Sequence, residues 1–293
     1  MTHLLAKALF LTFQSLPRNL AIRTGEGLGS LFWYLGYRRK VILRNLDIAF
    51  PERDINWKKT VGKKSLQNIG RTLAEFPKLP QYYQKGEIKD ITVFEKGRHL
   101  FNEKKPRILV SAHIGNWELA GASFSYYIDN LITLAYRIKN KKVNDLIVSI
   151  REGAGMKIIF HDQPLKAFIK ALNEGKTISF LADQNALLHR GVFVNFFKFP
   201  ASTITIPAKL ALKYDAEVIF GYSYYNEKTK KYHLIAEKID FEKSGNTEED
   251  IKSLTQLYTK KIEDAVKRHP DQYFWVHKRW KTRPKGEPEN VYD

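Results

Sequence analysis

The feature that narrows the fold most is an alternation beginning near Ile91. Short apolar runs at 108–112, 131–136, 157–160, 177–182, 217–222 and 232–237 read as strands, each bounded by polar or turn-forming residues. Between them, 117–127, 143–153, 165–174 and 205–214 read as helices. Strand and helix alternating over this length predict a layered α/β/α domain around a central, mostly parallel or mixed sheet. The last two strands, joined through 226–231, predict a hairpin or meander at one side of that sheet. Asn246 and Thr247 cap a final amphipathic helix with Ile251, Leu254, Leu257, Ile262 and Val266 on one face, stopped by Pro270.

The first part of the chain has a different character. A helix is expected over 57–76, with Val61, Ser65, Asn68, Ile69, Thr72, Leu73 and Phe76 on one side and Pro77 and Pro80 forbidding its continuation. Ahead of it, the apolar runs 8–16 and 27–37 are each shorter than the charge-free stretch of about 18 residues that a spanning helix needs. Pro17 should end or kink a helix that starts near Leu4. Trp33, Tyr34 and Tyr37 stand beside Arg38, Arg39 and Lys40, and these residue types settle at the headgroup level of a bilayer. The expectation is an interfacial helix or a short tilted span, the alternative a helical hairpin folded onto the core or into a dimer interface. No cleavage site follows the first run, so secretion is not expected. The organisation expected is a membrane-associating helical segment over 1–50 and one catalytic-size domain over 51–293.

Charge and cysteine content bound the chemistry. The net charge of +18 calls for an anionic partner, whether nucleic acid, an acidic protein or an anionic membrane. With no cysteine in the chain, disulfides, thiolate nucleophiles and cysteine-bound metals are excluded. Several well-known motifs fail on inspection. Gly175, Lys176 and Thr177 resemble the end of a phosphate-binding loop, but Lys170 occupies its first glycine position. Gly25, Gly27 and Gly29 are followed by Ser30, so the dinucleotide fingerprint is incomplete and the glycines read as helix punctuation. Ser125 replaces the second glycine of a nucleophile elbow that begins at Gly121. The histidines are scattered and suggest no metal site.

What remains lies around His113. It follows an apolar strand at the strand's C-terminal tip, where ligands bind in open α/β sheets. Gly115 and Asn116 can turn the chain, and Glu118 enters the next helix. A loop followed by a helix start lets His113 and Glu118 meet, and a histidine oriented by a carboxylate is a general base able to take a proton from a hydroxyl. Nothing in the sequence supplies a thiol or serine elbow to hold a covalent intermediate. The chemistry implied is direct attack by an acceptor hydroxyl on an activated acyl group.

His113 and Glu118 match the H-x-x-x-x-[DE] box of glycerolipid-type acyltransferases, and 113–118 resembles its form in the late acyltransferases of lipid A biosynthesis. Other blocks agree in order: 38–51, with Arg44, Asn45 and Pro51; 183–185; 191–197; 200–203; and the aromatic and basic run 272–280. The resemblance implies transfer of a fatty acyl chain from acyl carrier protein to a hydroxyl of a lipid A precursor, at the cytoplasmic face of the inner membrane. It implies His113 as base and Glu118 as its partner, and it marks Arg151 as a functional arginine. Asp183 and Gln184, after the strand 177–182, fall at the same sheet edge, where they would help bind acceptor or donor. Asn116 and the amides after Gly115 would form an oxyanion hole. No cofactor is implied beyond the acyl-acyl carrier protein donor, and the partners expected are that carrier, anionic membrane lipids and the acceptor lipid, with no nucleic acid. The chain departs from the family at Asn195 and Lys198, where proline and glycine are common. Acceptors such as phosphatidylinositol mannosides therefore stay open, as does a non-enzymatic basic membrane or nucleic-acid binder.

Overall fold

A computed structural model describes residues 2–128, 131–163, 165–287 and 290–292. Its strands are β1 (Thr92–Lys96), β2 (Arg107–Ser111), β3 (Leu131–Ala135), β4 (Lys157–Phe160), β5 (Thr177–Leu181), β6 (Gly191–Phe196), β7 (Phe199–Ile204), β8 (Glu217–Asn226) and β9 (Lys231–Ile239). The helices before the sheet are α1 (Thr2–Ser15), α2 (Arg18–Tyr34), α3 (Arg39–Ala49), α4 (Ile55–Glu75), α5 (Leu79–Gln84) and α6 (Ile88–Ile91). Those within and after it are α7 (Trp117–Tyr127), α8 (Lys141–Gly153), α9 (Leu165–Asn173), α10 (Ile206–Tyr214) and α11 (Thr247–Arg268).

Seven strands form one sheet in the order β1-β9-β8-β2-β5-β3-β4. The segment from β8 through β4 is parallel throughout, whereas β9 runs antiparallel to β8 and pairs with β1 in parallel. The mixed sheet agrees with the expectation. Every residue of β2 is buried, as a strand covered on both faces requires. Its side chains divide by the two-residue period: Ile108 and Val110 join the cluster containing Phe168 and Leu172 of α9, Ala208 of α10 and Leu254 and Ile262 of α11, while Leu109 packs with Ala120 and Phe124 of α7.

Three strands carried little sequence signal. β1 is an edge strand with mostly exposed or half-exposed residues, so it lacks a clear alternation. β6 and β7 form a separate antiparallel hairpin whose turn residues, Phe197 and Lys198, both have positive φ, 54° and 60°. That conformation usually announces itself as Asn-Gly. Here contacts outside the hairpin hold it: the Phe197 amide donates to Glu263 Oε2 at 2.7 Å, and the buried Phe197 ring packs on Phe50 and Trp275.

Pro17 separates α1 from α2, as expected. The glycines read as punctuation instead lie inside α2, and two of them bring it against α4. A Cβ on Gly25 would collide with the Gly70 carbonyl, one on Gly29 with the Leu66 carbonyl, and one on Gly70 with the Gly25 carbonyl. Gly27 faces open space. Gly70→Ala should therefore cost about 1–3 kcal/mol by forcing the helices apart, while Gly27→Ala should be neutral or stabilising by about 0.5–1 kcal/mol. Thermal denaturation of the two variants distinguishes them. The α4 face also differs at Leu73, which is 52% exposed while Arg71 and Glu75 turn inward. In α11, Leu257 is 38% exposed. Among the described residues no helix is long and apolar enough to cross a membrane.

Candidate active site

Two strand tips build the centre. β2 and β5 pair in parallel with Ser111 opposite Leu181, and the Ala182 amide donates to the Ser111 carbonyl at 2.9 Å. Two residues beyond that pair, the register carries His113 and Asp183 side by side. His113 Nδ1 lies 2.8 Å from Asp183 Oδ1. The Asp183 side chain is 1% exposed and that of His113 15%. Burial alone would raise the Asp183 pKa, but the charge and hydrogen bond of His113 outweigh it and hold the carboxyl below its ordinary value. With Nδ1–H donating to this carboxylate, Nε2 is the bare nitrogen left to accept a proton. Trp117 and Phe274 flank the imidazole, with centroids at 5.2 and 5.5 Å.

The loop after His113 is tied down by backbone contacts. Gly115 has φ +59°, and a Cβ there would stand 3.0 Å from Tyr224 Cα and closer still to the Ser223 carbonyl. Its amide donates to the Gln272 carbonyl at 3.0 Å, and its carbonyl accepts from Asn68 Nδ2 at 2.8 Å. Ile114 bridges to Tyr273, and the Phe274 amide donates to the His113 carbonyl at 3.1 Å.

Glu118 does not bond to His113. It sits in the first turn of α7 and takes Arg151 of α8 in a two-bond pair, Nε to Oε2 at 2.9 Å and Nη2 to Oε1 at 2.6 Å. Burial would lower the Arg151 pKa, but Glu118 outweighs it and raises it above its ordinary value. Thus the carboxylate that orients the histidine comes from the adjacent strand, because parallel pairing aligns the two tips, while the one expected from the H-x-x-x-x-[DE] spacing serves the arginine. The pair lines a narrow cavity of about 60 Å³ between α7, α8 and the sheet, whose inner wall includes Leu109, Phe124, Leu131 and Met156.

Asn116, expected to face a ligand, is fully buried. Its Oδ1 caps α7 by accepting from the Leu119 amide at 3.0 Å, and its Nδ2 donates to Glu75 Oε2 at 3.3 Å. Both polar ends thus have a partner inside the protein. Glu75, itself 0% exposed, also accepts from Arg18 Nε at 2.8 Å and Tyr232 Oη at 2.5 Å. Gln184 is half-buried beside Asp183 and has no side-chain hydrogen bond among the described residues. No group of three or more potential metal ligands occurs among the described residues.

The run 272–280 supplies residues whose individual roles were not legible in advance. Tyr273 Oη donates to the Asp183 carbonyl at 3.4 Å, and Arg279, 2% exposed, donates to the Ser202 carbonyl at 2.6 Å and Thr203 Oγ1 at 2.5 Å. His277 Nε2 accepts from the Asn185 amide at 3.0 Å. Burial pushes His277 down to about 4, with Arg38 and His113 among the lesser causes, and His269 is likewise pushed down by burial to about 4. Both folded-state values lie below the ordinary 6.5, so the unfolded chain binds protons that the folded chain refuses. Stability should fall as pH drops from about 6.5 towards about 4. Denaturant midpoints across that range check it, and His277→Gln should flatten the slope.

The chain matches the family described as bacterial lipid A biosynthesis acyltransferase over residues 1–282. It is 25% identical over 297 aligned positions to a lipid A biosynthesis acyltransferase of Haemophilus influenzae, covering 99% of this chain and 93% of that protein. It is 26% identical over 278 positions to the lipid A biosynthesis lauroyltransferase of Escherichia coli, covering 93% and 89%. A phosphatidylinositol mannoside acyltransferase of Mycobacterium tuberculosis is 21% identical over 59% of this chain and 54% of that protein. A histidine set by a buried carboxylate at parallel strand tips, in a chain matched almost end to end, therefore belongs to an acyltransferase of the bacterial lipid A biosynthesis family.

Proposed function

We propose that the protein moves a fatty acyl chain from acyl carrier protein to a hydroxyl of a lipid A precursor, working on the cytoplasmic face of the inner membrane with His113 as general base. The observation that carries this reading is the bond from His113 to the buried Asp183, which leaves Nε2 as the proton acceptor. In the reaction Nε2 takes the acceptor hydroxyl proton as the oxygen attacks the thioester carbonyl. The carrier thiolate then leaves and takes that proton from the imidazolium, while Asp183 stabilises the cation and holds the ring. Glu118 acts by fixing Arg151, whose Nη1 is not used in their pair and is left to bind an acceptor phosphate. Gln184 contributes a polar contact to the substrate. The cavity behind the ion pair begins the path of the acyl chain, with Met156 as its adaptable wall.

Membrane association is supported by the outer faces of α1 and α2. Leu4, Leu5 and Leu11 of α1 are each at least 50% exposed, as are Leu31, Tyr34 and Leu35 near Arg38, Arg39 and Lys40. Such a surface suits a helix lying in the headgroup region. Purified protein should transfer label from acyl-acyl carrier protein to a lipid A precursor in mixed micelles, and mass spectrometry of the product identifies the hydroxyl. Transfer to a phosphatidylinositol mannoside and none to the lipid A precursor would reassign the acceptor.

A further inference from the structure

Residues 187–190 form a four-residue projection beside the active site. Its base is fixed: the Ala186 amide donates to the Ser202 carbonyl at 3.1 Å, and Gly191 pairs with Ile204. The Arg190 amide closes the tip on the Leu187 carbonyl at 2.9 Å. Two adjacent leucines point outward there, Leu187 at 55% and Leu188 at 65% exposure, followed by exposed His189 and Arg190. Single exposed leucines need no explanation, but a rigidly based leucine pair at the edge of a catalytic centre does.

The surroundings indicate what covers it. Asn185, two residues before Leu187, donates its amide to His277 Nε2 at 3.0 Å, and the His277 carbonyl accepts at 2.7 Å from Asn45 of α3, the helix that begins at Arg39. His277 thus joins the segment that carries the projection to α3, the helix that follows the aromatic, basic turn after α2. Neither segment contains an acidic residue: none occurs from 184 to 214 or from 27 to 46. Exposed leucines, tyrosines and cations on segments without carboxylates complement an anionic lipid surface, where cations are drawn to the headgroups and apolar tips enter the acyl boundary.

We infer that Leu187 and Leu188 are a second membrane-inserting point, which with the turn at 35–40 seats the rim of the active site on an anionic leaflet. The inference rests on the membrane-associated reading above and adds to it the orientation of the protein: the His113 edge of the sheet faces the bilayer, and the acceptor enters laterally from it. Because the natural chain has no cysteine, one introduced thiol is a unique labelling point. Leu188→Cys carrying an environment-sensitive fluorophore should shift to the blue and brighten several-fold on vesicles of phosphatidylethanolamine and phosphatidylglycerol. The same label on Glu242→Cys, just beyond the β9 end that pairs with the start of β8 at the opposite sheet edge, should stay aqueous. Co-sedimentation of both labelled proteins is measured in parallel. Protein that sediments with vesicles while the Leu188→Cys label stays aqueous overturns the second insertion point but leaves membrane association standing. Protein that does not sediment overturns both.

Discussion

Alanine at position 113 is expected to lower acyl transfer by about 10²–10⁴-fold, the range over which a positioned general base contributes. The loss should fall on kcat, since Nε2 acts on the proton in flight and no bond from His113 to a resting substrate is required. The backbone of residue 113 is held independently of its side chain, through the Phe274 amide, so the loop should survive the substitution. The side chain does leave a buried carboxylate behind. Asp183 then loses its hydrogen-bond donor, at a cost of about 1–3 kcal/mol. Circular dichroism and a melting curve separate that stability change from the catalytic one. Near-normal turnover in a folded His113→Ala protein would remove the general base from the mechanism.

The second large effect is expected at Asp183. Asparagine fits the same space but presents an amide that can donate, which favours the tautomer with the proton on Nε2 and blocks the base. Where an aspartate holds a catalytic histidine in this way, the corresponding change costs of the order of 10⁴-fold. A loss of that order is expected here, with KM little changed. Because Asp183 works through His113, the double variant should be no slower than His113→Ala alone. Glu118→Gln acts differently. It loosens Arg151, whose two bonds to Glu118 are charge-assisted, and should lower transfer without touching the bond between His113 and Asp183.

How legible these features were follows from their physics. The parallel strands were visible because doubly covered strands are continuous apolar runs, as in β2, and α11 because Asn246 accepts from the amides of Glu248 and Glu249 as an N-cap should. The β6–β7 hairpin was not visible, because its positive-φ turn is built from Phe197 and Lys198 and depends on Glu263, Phe50 and Trp275, all distant in sequence. At the centre, His113, Glu118, Arg151 and Asp183 were all identifiable, but their pairing was not. Spacing along one chain favoured Glu118 as the partner of His113, whereas strand order decides it: β5 lies next to β2, and that adjacency puts Asp183 on the imidazole. The cap that Asn116 forms was hidden for a related reason. A polar residue after a turn glycine suits a ligand contact as well as a helix cap, and only the inward-facing Glu75 reveals the cap. Gly25 and Gly29 gave no sign of their role because the partner surface, Leu66 and Gly70 on α4, lies some forty residues away.

Nitrogen-15 spectroscopy of the histidine side chains, with the His113 signal assigned by its loss in His113→Ala, tests the central claim most directly, that Asp183 sets the base. The neutral ring should carry its proton on Nδ1 and have a bare Nε2 in the wild-type protein and in Glu118→Gln, and should lose that preference in Asp183→Asn. A proton on Nε2 in the wild type, or a tautomer that changes with Glu118 and ignores Asp183, would contradict it.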